Sequence, residues 1–293
     1  MSWISLWGTR FTRGFGQIML QENSLTGLFF LAGIAFNSLT MLAGALAGST
    51  ISMLSACLLR VDNEDLDRGF YSFNGALVGL CVFFYLPVSL TSWALLILAA
   101  ALSSVLMKLM LRTKAIAPYT APFVLSGWLT LIAAYLLSSE ENLLVESAVA
   151  LDYPATIAYS TFQGIVQGLG QVMFQGNTLS GLLFFIGLAV SSRQVAFWAL
   201  GGSALSLMLA VALGYPADLV LSGLFSFNAV LAAIAISGQF QNNVALSCCG
   251  IFASVIITRG FQELGIAPLT APFVLATWLV IYIARLSKRW SAQ

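Results

Sequence analysis

The strongest constraint on this chain is an internal duplication. Three blocks occur twice in the same order: GFGQIMLQENSLTG at 14–27 and GLGQVMFQGNTLSG at 168–181, GFYSFNGAL at 69–77 and GLFSFNAVL at 223–231, and AIAPYTAPFVLSGW at 115–128 and GIAPLTAPFVLATW at 265–278. The first pair is identical at 8 of 14 positions and the last at 10 of 14. Matches in this order predict two halves that share one architecture.

The hydropathy of the chain indicates that it lies in a lipid bilayer rather than in water. Hydrophobic residues make up 59% of the 293 positions and charged residues only 8%, against about 45–50% and about 25% in soluble domains. So few charges cannot cover a water-exposed surface of this size. The sequence therefore predicts an integral membrane protein with room for about ten crossings at roughly 20 residues each, and no separate soluble domain.

Apolar runs place the predicted helices. They cover 24–36, 39–59, 75–87, 92–111 and 120–137 in the first half, and 178–190, 195–213, 229–237, 244–258 and 270–284 in the second. The runs at 76–86 and 229–237 are shorter than a roughly 30 Å hydrocarbon core requires and follow Gly/Ser/Asn-rich approaches. We expect an all-α membrane fold of two inverted repeats, each with about five transmembrane helices plus a half-membrane re-entrant helix.

The distribution of charge predicts the boundaries and the orientation. We expect a first repeat over 1–138, an acidic linker over 139–153 and a second repeat over 154–293, which together form one membrane domain. Lysine and arginine gather near both ends, at Arg10, Arg13, Arg285, Lys288 and Arg289. The positive-inside rule places both termini in the cytoplasm. An external linker then requires an odd number of crossings per repeat, so the two repeats run in opposite directions.

The residue types that the chain lacks exclude several classes of protein. Histidine is absent, and the four cysteines show no CxxC spacing, so we expect no metal and no redox site. No cofactor motif is found. Scattered basic residues without a stripe argue against a nucleic-acid partner. An enzyme is disfavoured as well, because no acid–base pair or cluster of acids lies inside the apolar runs.

The repeated polar and aromatic residues are the candidate functional groups. Several have ordinary structural interpretations: the A-P-x-T-A-P-F motif suits the start of a helix, the glutamines of the G-x-G-Q blocks suit helix-to-helix hydrogen bonds, and a phenylalanine with a leucine four residues on suits a helix core. Asn74 and Asn228 are predicted to cap or turn the broken segments. Two copies related by an in-plane twofold axis would nevertheless bring Thr120 and Thr270 together near the midplane, where hydroxyls in an apolar duct are useful.

These blocks resemble the urea transporter family, in its bacterial type. The paired A-P-Tyr119-Thr120-A-P-F and A-P-Leu269-Thr270-A-P-F motifs are similar to the family's repeated signature, and the G-Q-V/I-M and S-F-N blocks accompany them in order. The resemblance covers nearly the whole chain. It implies ten membrane helices, two tilted half-helices, a homotrimer, and one continuous pore in each protomer for passive movement of urea.

The resemblance also implies roles for individual residues. It places Thr120 and Thr270 at a central constriction, and Gln17 and Gln171 at the edges of two solute sites. It places the flat walls of those sites at Phe73, Leu77, Phe227, Leu231 and Phe174. Leu20 takes the position equivalent to Phe174 and departs from the aromatic pattern, which predicts one looser site.

Two alternatives to a passive urea pore stay open at this point. The chain could transport other small amides, or it could couple urea uptake to an ion. Coupling usually requires an acid or a histidine inside the membrane, whereas the acids here lie near the ends of apolar runs. We expect a location in a bacterial inner membrane, with a eukaryotic plasma membrane as the second choice.

Overall fold

The computed structural model describes residues 3–137 and 157–290, with side chains described for 7–137 and 161–287, and all its regular structure is helical. The first half contains α1 (Trp3–Gln17), α2 (Ser24–Asn37), α3 (Leu39–Leu58), α4 (Asn63–Asp67), α5 (Ser72–Tyr85), α6 (Leu90–Thr113) and α7 (Ala121–Leu137). The second half contains α8 (Ile157–Gly170), a 3-10 turn (Gln171–Met173), α9 (Thr178–Ser191), α10 (Arg193–Ala212), α11 (Ala217–Leu221), α12 (Phe227–Gln239), α13 (Val244–Glu263) and α14 (Ala271–Trp290). The described part of each half thus has seven α-helices in matching order.

All ten predicted apolar runs lie on helices, with ends displaced by a few residues. The hydropathy runs missed α1 and α8, because these helices are amphipathic: α1 carries Arg10 and Arg13 among its apolar residues. The short acidic α4 and its counterpart α11 were missed as well. The predicted acidic linker at 139–153 lies outside the described residues, so the repeat boundaries stay predictions.

Helix length divides the bundle into spanning and shorter elements. Within the described part of the chain, α3, α6, α10 and α13 are each long and apolar enough to cross a membrane. The segments Thr161–Met173 and Thr178–Ser191, which meet at a bend of 76°, qualify together as a fifth, broken span. The remaining apolar helices have fewer than 18 residues in their described parts. Five full crossings per half are therefore not reached by helix length, and that count stays a prediction.

The two segments predicted to be half-membrane helices are short and deeply buried. With 14 and 13 residues, α5 and α12 extend only about 20 Å at 1.5 Å per residue. Every residue of α5 from Ser72 to Val82 is buried, and so is every residue of α12 from Phe227 to Ser237. Glycine pairs let α5 approach α3: a Cβ on Gly75 would collide with the carbonyl of Gly48. Both short helices therefore lie inside the bundle, surrounded by other helices.

The halves contact each other through equivalent residues of α2 and α9. Thr26 Oγ1 donates a 2.8 Å hydrogen bond to the carbonyl of Gly187, and Ser180 Oγ donates a 2.8 Å bond to the carbonyl of Gly33. Thr26 and Ser180 are 154 residues apart, as are Gly33 and Gly187. A third such pair, Phe30 and Phe184, packs ring against ring at 5.1 Å. Each half therefore contributes the same groups to the contact.

Candidate functional site

The two threonines of the repeated motif meet at the junction of the halves. Thr270 Oγ1 donates a 2.7 Å hydrogen bond to Thr120 Oγ1, and the residues are only 2% and 1% exposed. Each directly precedes a helix, α7 or α14. The structure therefore confirms the proximity of Thr120 and Thr270 that the sequence predicted.

The local sequence explains why a helix starts at this point. The first N–H groups of a helix lack partners within the helix. In α7, Ala121 N–H donates to the carbonyl of Pro118 at 3.0 Å, Val124 N–H donates to the carbonyl of Thr120 at 3.0 Å, and Pro122 has no N–H to satisfy. The remaining donor, Phe123 N–H, bonds Asn74 Oδ1 at 3.1 Å. The helix start is thus buried with each of these backbone donors paired.

The second half repeats this arrangement. Phe273 N–H donates to Asn228 Oδ1 at 3.1 Å, and Asn228 Nδ2 donates to the carbonyl of Leu269 at 3.2 Å. The prediction that Asn74 and Asn228 cap or turn their own segments is wrong. Both lie inside their short helices, α5 and α12, and cap the neighbouring α7 and α14 instead. An unpaired amide N–H at this depth would cost about 1–3 kcal/mol.

Hydrogen bonds therefore connect the first turns of four helices around the threonine pair. Asn74 joins α5 to α7, the two threonines join α7 to α14, and Asn228 joins α14 to α12. The N-terminus of a helix carries a partial positive charge from its aligned peptide dipoles. The junction thus combines two neutral hydroxyls with a positive potential supplied by backbone.

The glutamines of the G-x-G-Q blocks are held in one orientation by backbone. Gln17 Nε2 donates to the carbonyl of Arg68 at 3.0 Å, and Gln171 Nε2 donates to the carbonyl of Ser222 at 3.1 Å. Among the described residues, neither Oε1 accepts a hydrogen bond, so each amide presents an acceptor. A close approach of α1 to the α4–α5 turn makes this possible. Gly69 has a φ of +79°, and a Cβ there would lie 2.6 Å from the backbone nitrogen of Gly14.

Leu20 and Phe174 occupy equivalent, unfavourable backbone positions. Their φ angles are +61° and +59°, in the left-handed region where a non-glycine residue costs roughly 1–2 kcal/mol. Each ends its helix in a Schellman motif, in which Gln21 N–H bonds the carbonyl of Gly16 and Gln175 N–H bonds that of Gly170, both at 3.0 Å. Glycine is usual at this position. Both halves therefore accept this cost at the same position of the repeat.

A cavity of about 600 Å³ brings three of the predicted site residues together. Gln17, Leu20 and Phe73 all line it, together with Tyr119 and the end of α12 from the second half. Leu77 and Leu231, one helical turn beyond Phe73 and Phe227, are fully buried. We call this cavity the first vestibule.

The equivalent position in the second half is crowded by aromatic rings. Phe174 packs with Phe84 at 5.0 Å, with Tyr85 at 6.3 Å and with Phe123 at 6.4 Å between ring centroids. Leu20 lines the first vestibule, and the expectation that it loosens one site stays a prediction. The repeated blocks did not point to Tyr119, Phe84 or Tyr85 as site residues, because none of these three is repeated in the other half.

Charged side chains of the first half pair with one another and not with the threonine pair. Arg10 pairs with Asp67 at 2.6 Å, and Arg68 pairs with Glu22 at 2.7 Å. On the short helix α4, burial and then the neighbouring Asp62 raise the pKa of Asp65 above its ordinary value. Within the described residues, no group of three or more Cys, Asp or Glu side chains could hold a metal ion.

Comparison with known proteins decides the family. The family model described as urea transporter matches residues 9–285. The chain belongs to the urea transporter family. Urea transporter 1 of Capra hircus is 27% identical over 294 residues, covering 92% of this chain and 75% of its own length, and the same figures hold for urea transporter 1 of Ovis aries. Urea transporter 1 of Mus musculus is 28% identical over 262 residues, covering 83% and 67%.

Membership of the urea transporter family gives the site its chemical meaning. The chain is a multi-pass membrane protein that transports urea across the membrane, and thus a transport protein rather than an enzyme. Urea is planar and neutral, with four N–H donors and one carbonyl acceptor in its plane. The Gln17 and Gln171 oxygens and the threonine hydroxyls are neutral groups that can accept hydrogen bonds from N–H donors, and the hydroxyls can also donate one.

Proposed function

We propose that urea crosses the membrane passively, through a channel-like pore within the protomer. The path runs from Gln17 in the first vestibule past Leu20, Phe73 and Leu77 to the threonine pair. It then continues past Leu231 and Phe227, between Phe174 and Gln171, to the opposite side. The observation that carries this proposal is the hydrogen bond between Thr120 and Thr270, which places two neutral hydroxyls at a buried junction of the halves.

The chemistry of the threonine pair suits a solute that must enter and leave quickly. A hydroxyl can donate one hydrogen bond and accept two, so each threonine can exchange its bond to the other for a bond to urea. The number of hydrogen bonds is then nearly conserved along the path. Binding that is favourable enough to admit a solute and weak enough to release it is the requirement for conduction.

The slot at either end selects for shape. Phe73 and Leu77 offer apolar walls on one side of the threonines, and Phe227 and Leu231 do so on the other. The amide oxygens of Gln17 and Gln171 supply acceptors at the edges. A planar molecule with apolar faces and a polar rim satisfies both kinds of surface, and this selects urea over a compact hydrated solute.

The reciprocal contacts support a twofold relation between the repeats. The pair Thr26–Gly187 and Ser180–Gly33 has the form that a twofold axis between identical surfaces produces. We propose that this axis lies in the membrane plane near the threonine pair and relates residues 1–138 to 154–293, with 139–153 as an external linker. With both termini in the cytoplasm, each repeat then crosses an odd number of times.

Two further features complete the proposal. We propose a homotrimer, each protomer with its own pore, and a location in the inner membrane of a bacterium. The mass of the detergent-solubilised protein, corrected for bound detergent, tests the first. A mass of one protomer rather than three would overturn it.

A comparison of urea with guanidinium tests the neutral pore directly. The two solutes have nearly the same planar shape, but guanidinium is a cation with no acceptor. Because the threonine junction adjoins helix N-termini, which repel cations, we expect guanidinium flux into proteoliposomes to be at least about 100-fold slower than urea flux. Acetamide, neutral but with one amino group fewer, serves as the control for shape. Equal fluxes of guanidinium and urea would contradict the proposal, and acetamide flux without urea flux would favour a transporter of other small amides.

A further inference from the structure

The two ends of the proposed path differ in chemistry although the repeated segments build both. Around the first vestibule lie Glu22, Arg68, Phe70, Gly238 and Gln239. The residues equivalent to them 154 positions away are Gly176, Ser222, Leu224, Phe84 and Tyr85. One end thus has an ion pair and open space where the other has no charge and two aromatic rings. A symmetric pathway does not require this difference.

The ion pair has a defined geometry at the rim of the first vestibule. Arg68 Nε and Nη2 both contact Glu22 Oε1, at 2.8 and 2.7 Å. The guanidinium lies over the ring of Phe70, 4.4 Å from its centroid, and the planar group is therefore held flat. Both charged side chains are a little over 40% exposed. Both residues line the cavity.

The ion pair of Glu22 and Arg68 lies next to Gln17, whose amide oxygen is an acceptor on the proposed path. The carbonyl of Arg68 accepts the hydrogen bond from Gln17 Nε2, so the backbone of one residue positions the amide and its side chain forms the rim. Gln17, Glu22 and Arg68 line the same cavity. They supply two kinds of acceptor and a planar donor within one opening.

We propose that Glu22 and Arg68, with Gln17, form an additional binding site for planar neutral amides at this end of the path, which we call the first mouth. The opposite end, the second mouth, has no equivalent site. The site rests on the proposed pathway and extends its first solute site outward, because the two sites share Gln17. The carbonyl of a urea or a primary amide accepts from Arg68, and its N–H groups donate to the Glu22 carboxylate and to Gln17 Oε1. Urea is the simplest ligand with both groups on one edge.

The ion pair adds little to the stability of the fold. An ion pair between side chains this exposed contributes only about 0–1 kcal/mol to stability. The cavity of about 600 Å³ is also far larger than one urea molecule needs, and it is within the range of ligand-binding pockets. At the other end, Phe84 and Tyr85 pack on Phe174 instead. We therefore expect solute affinity to differ between the two sides of the membrane.

The second mouth supplies the substitutions that test this site. The double variant Glu22→Gly with Arg68→Ser gives the first mouth the residues that the second mouth has at the equivalent positions, Gly176 and Ser222. We expect the half-saturating urea concentration for flux entering at the first mouth to rise roughly 3- to 10-fold, the effect of about one hydrogen bond. Flux entering at the other mouth should keep its half-saturation. Right-side-out and inside-out membrane vesicles separate the two directions.

Two further variants make the result decisive. Arg259→Ser with Glu263→Gly removes another ion pair, on α13 and away from the cavity, and should change neither side. Gly176→Glu with Ser222→Arg transfers the ion pair to the second mouth, where a Cβ at Gly176 would meet only an ordinary 3.4 Å contact, and should lower half-saturation on that side.

The outcomes separate this site from the pathway itself. If the wild-type protein passes urea without a proton or sodium gradient and the first variant has an unchanged half-saturating urea concentration, the additional site is overturned and the pore is left intact. Equal changes on both sides, or loss of flux from both, would overturn it too, because the pair would then act on the whole protein. If the wild-type protein passes no urea unless a proton or sodium gradient is imposed, both proposals are overturned.

Discussion

Replacing Thr120 and Thr270 together by valine is expected to lower urea flux at least tenfold in a protein that remains folded. Valine preserves the branched shape but removes both hydroxyls from the junction. Urea at that point then loses partners for its polar groups, and each unmet hydrogen bond in a buried site costs about 1–3 kcal/mol. A barrier higher by about 1.4 kcal/mol already slows passage tenfold.

The fold should tolerate this change, because the two hydroxyls bond each other rather than the helix backbone. Flux is measured by stopped-flow light scattering on proteoliposomes, with thermal unfolding as the check on folding. Thr130→Val and Thr258→Val are matched controls, since those buried hydroxyls bond carbonyls of their own helices at 2.8 and 2.7 Å. Wild-type flux in the double variant would remove the threonines from the conduction path.

Replacing Leu77 by tryptophan is expected to abolish urea flux almost completely. Leu77 is fully buried on α5, one turn after Phe73, which lines the first vestibule. In the proposed slot an indole ring would occupy the space between the walls. The same argument applies to Leu231→Trp in the second half, so the two variants should block alike. Urea uptake and size-exclusion behaviour of the purified variants provide the measurement.

Overpacking of a buried position can cost about 1–3 kcal/mol, so a second variant keeps the test of Leu77 decisive. Leu77→Ala widens the slot instead, and we expect it to retain urea flux and to admit N-methylurea more readily. Normal urea flux in folded Leu77→Trp would show that Leu77 does not form a wall of the path. The same conclusion would follow if Leu77→Ala left the selectivity for N-methylurea unchanged.

The sequence predicted the helical membrane fold and the meeting of Thr120 with Thr270, because both depend on patterns that the chain repeats. It could not predict the role of Asn74 and Asn228. Their partners Phe123 and Phe273 lie 49 and 45 residues away, and a local pattern does not tell whether an asparagine caps its own helix or another. The helix α1 was missed for a related reason, because arginines on one face lower its mean hydropathy.

The difference between the two mouths could not be predicted from the repeats. Identical residues at equivalent positions indicated the shared pathway, whereas the residues that differ between the halves follow no common pattern. Leu20 against Phe174 was visible, but the sequence did not tell that Gly238 and Gln239 would leave a cavity open. The ring packing of Phe84 and Tyr85 on Phe174 fills that space in the other half. Only contacts between the halves reveal this.

The most direct test of the passive pore is urea flux in proteoliposomes that contain the purified protein, with and without imposed proton and sodium gradients. Stopped-flow light scattering follows the flux. The proposed pore predicts rapid urea movement that is the same under all conditions, because the threonine pair at the junction offers two neutral hydroxyls rather than a carboxylate or an amine. Urea movement that required either gradient, in folded protein, would contradict the passive pore and identify a coupled transporter.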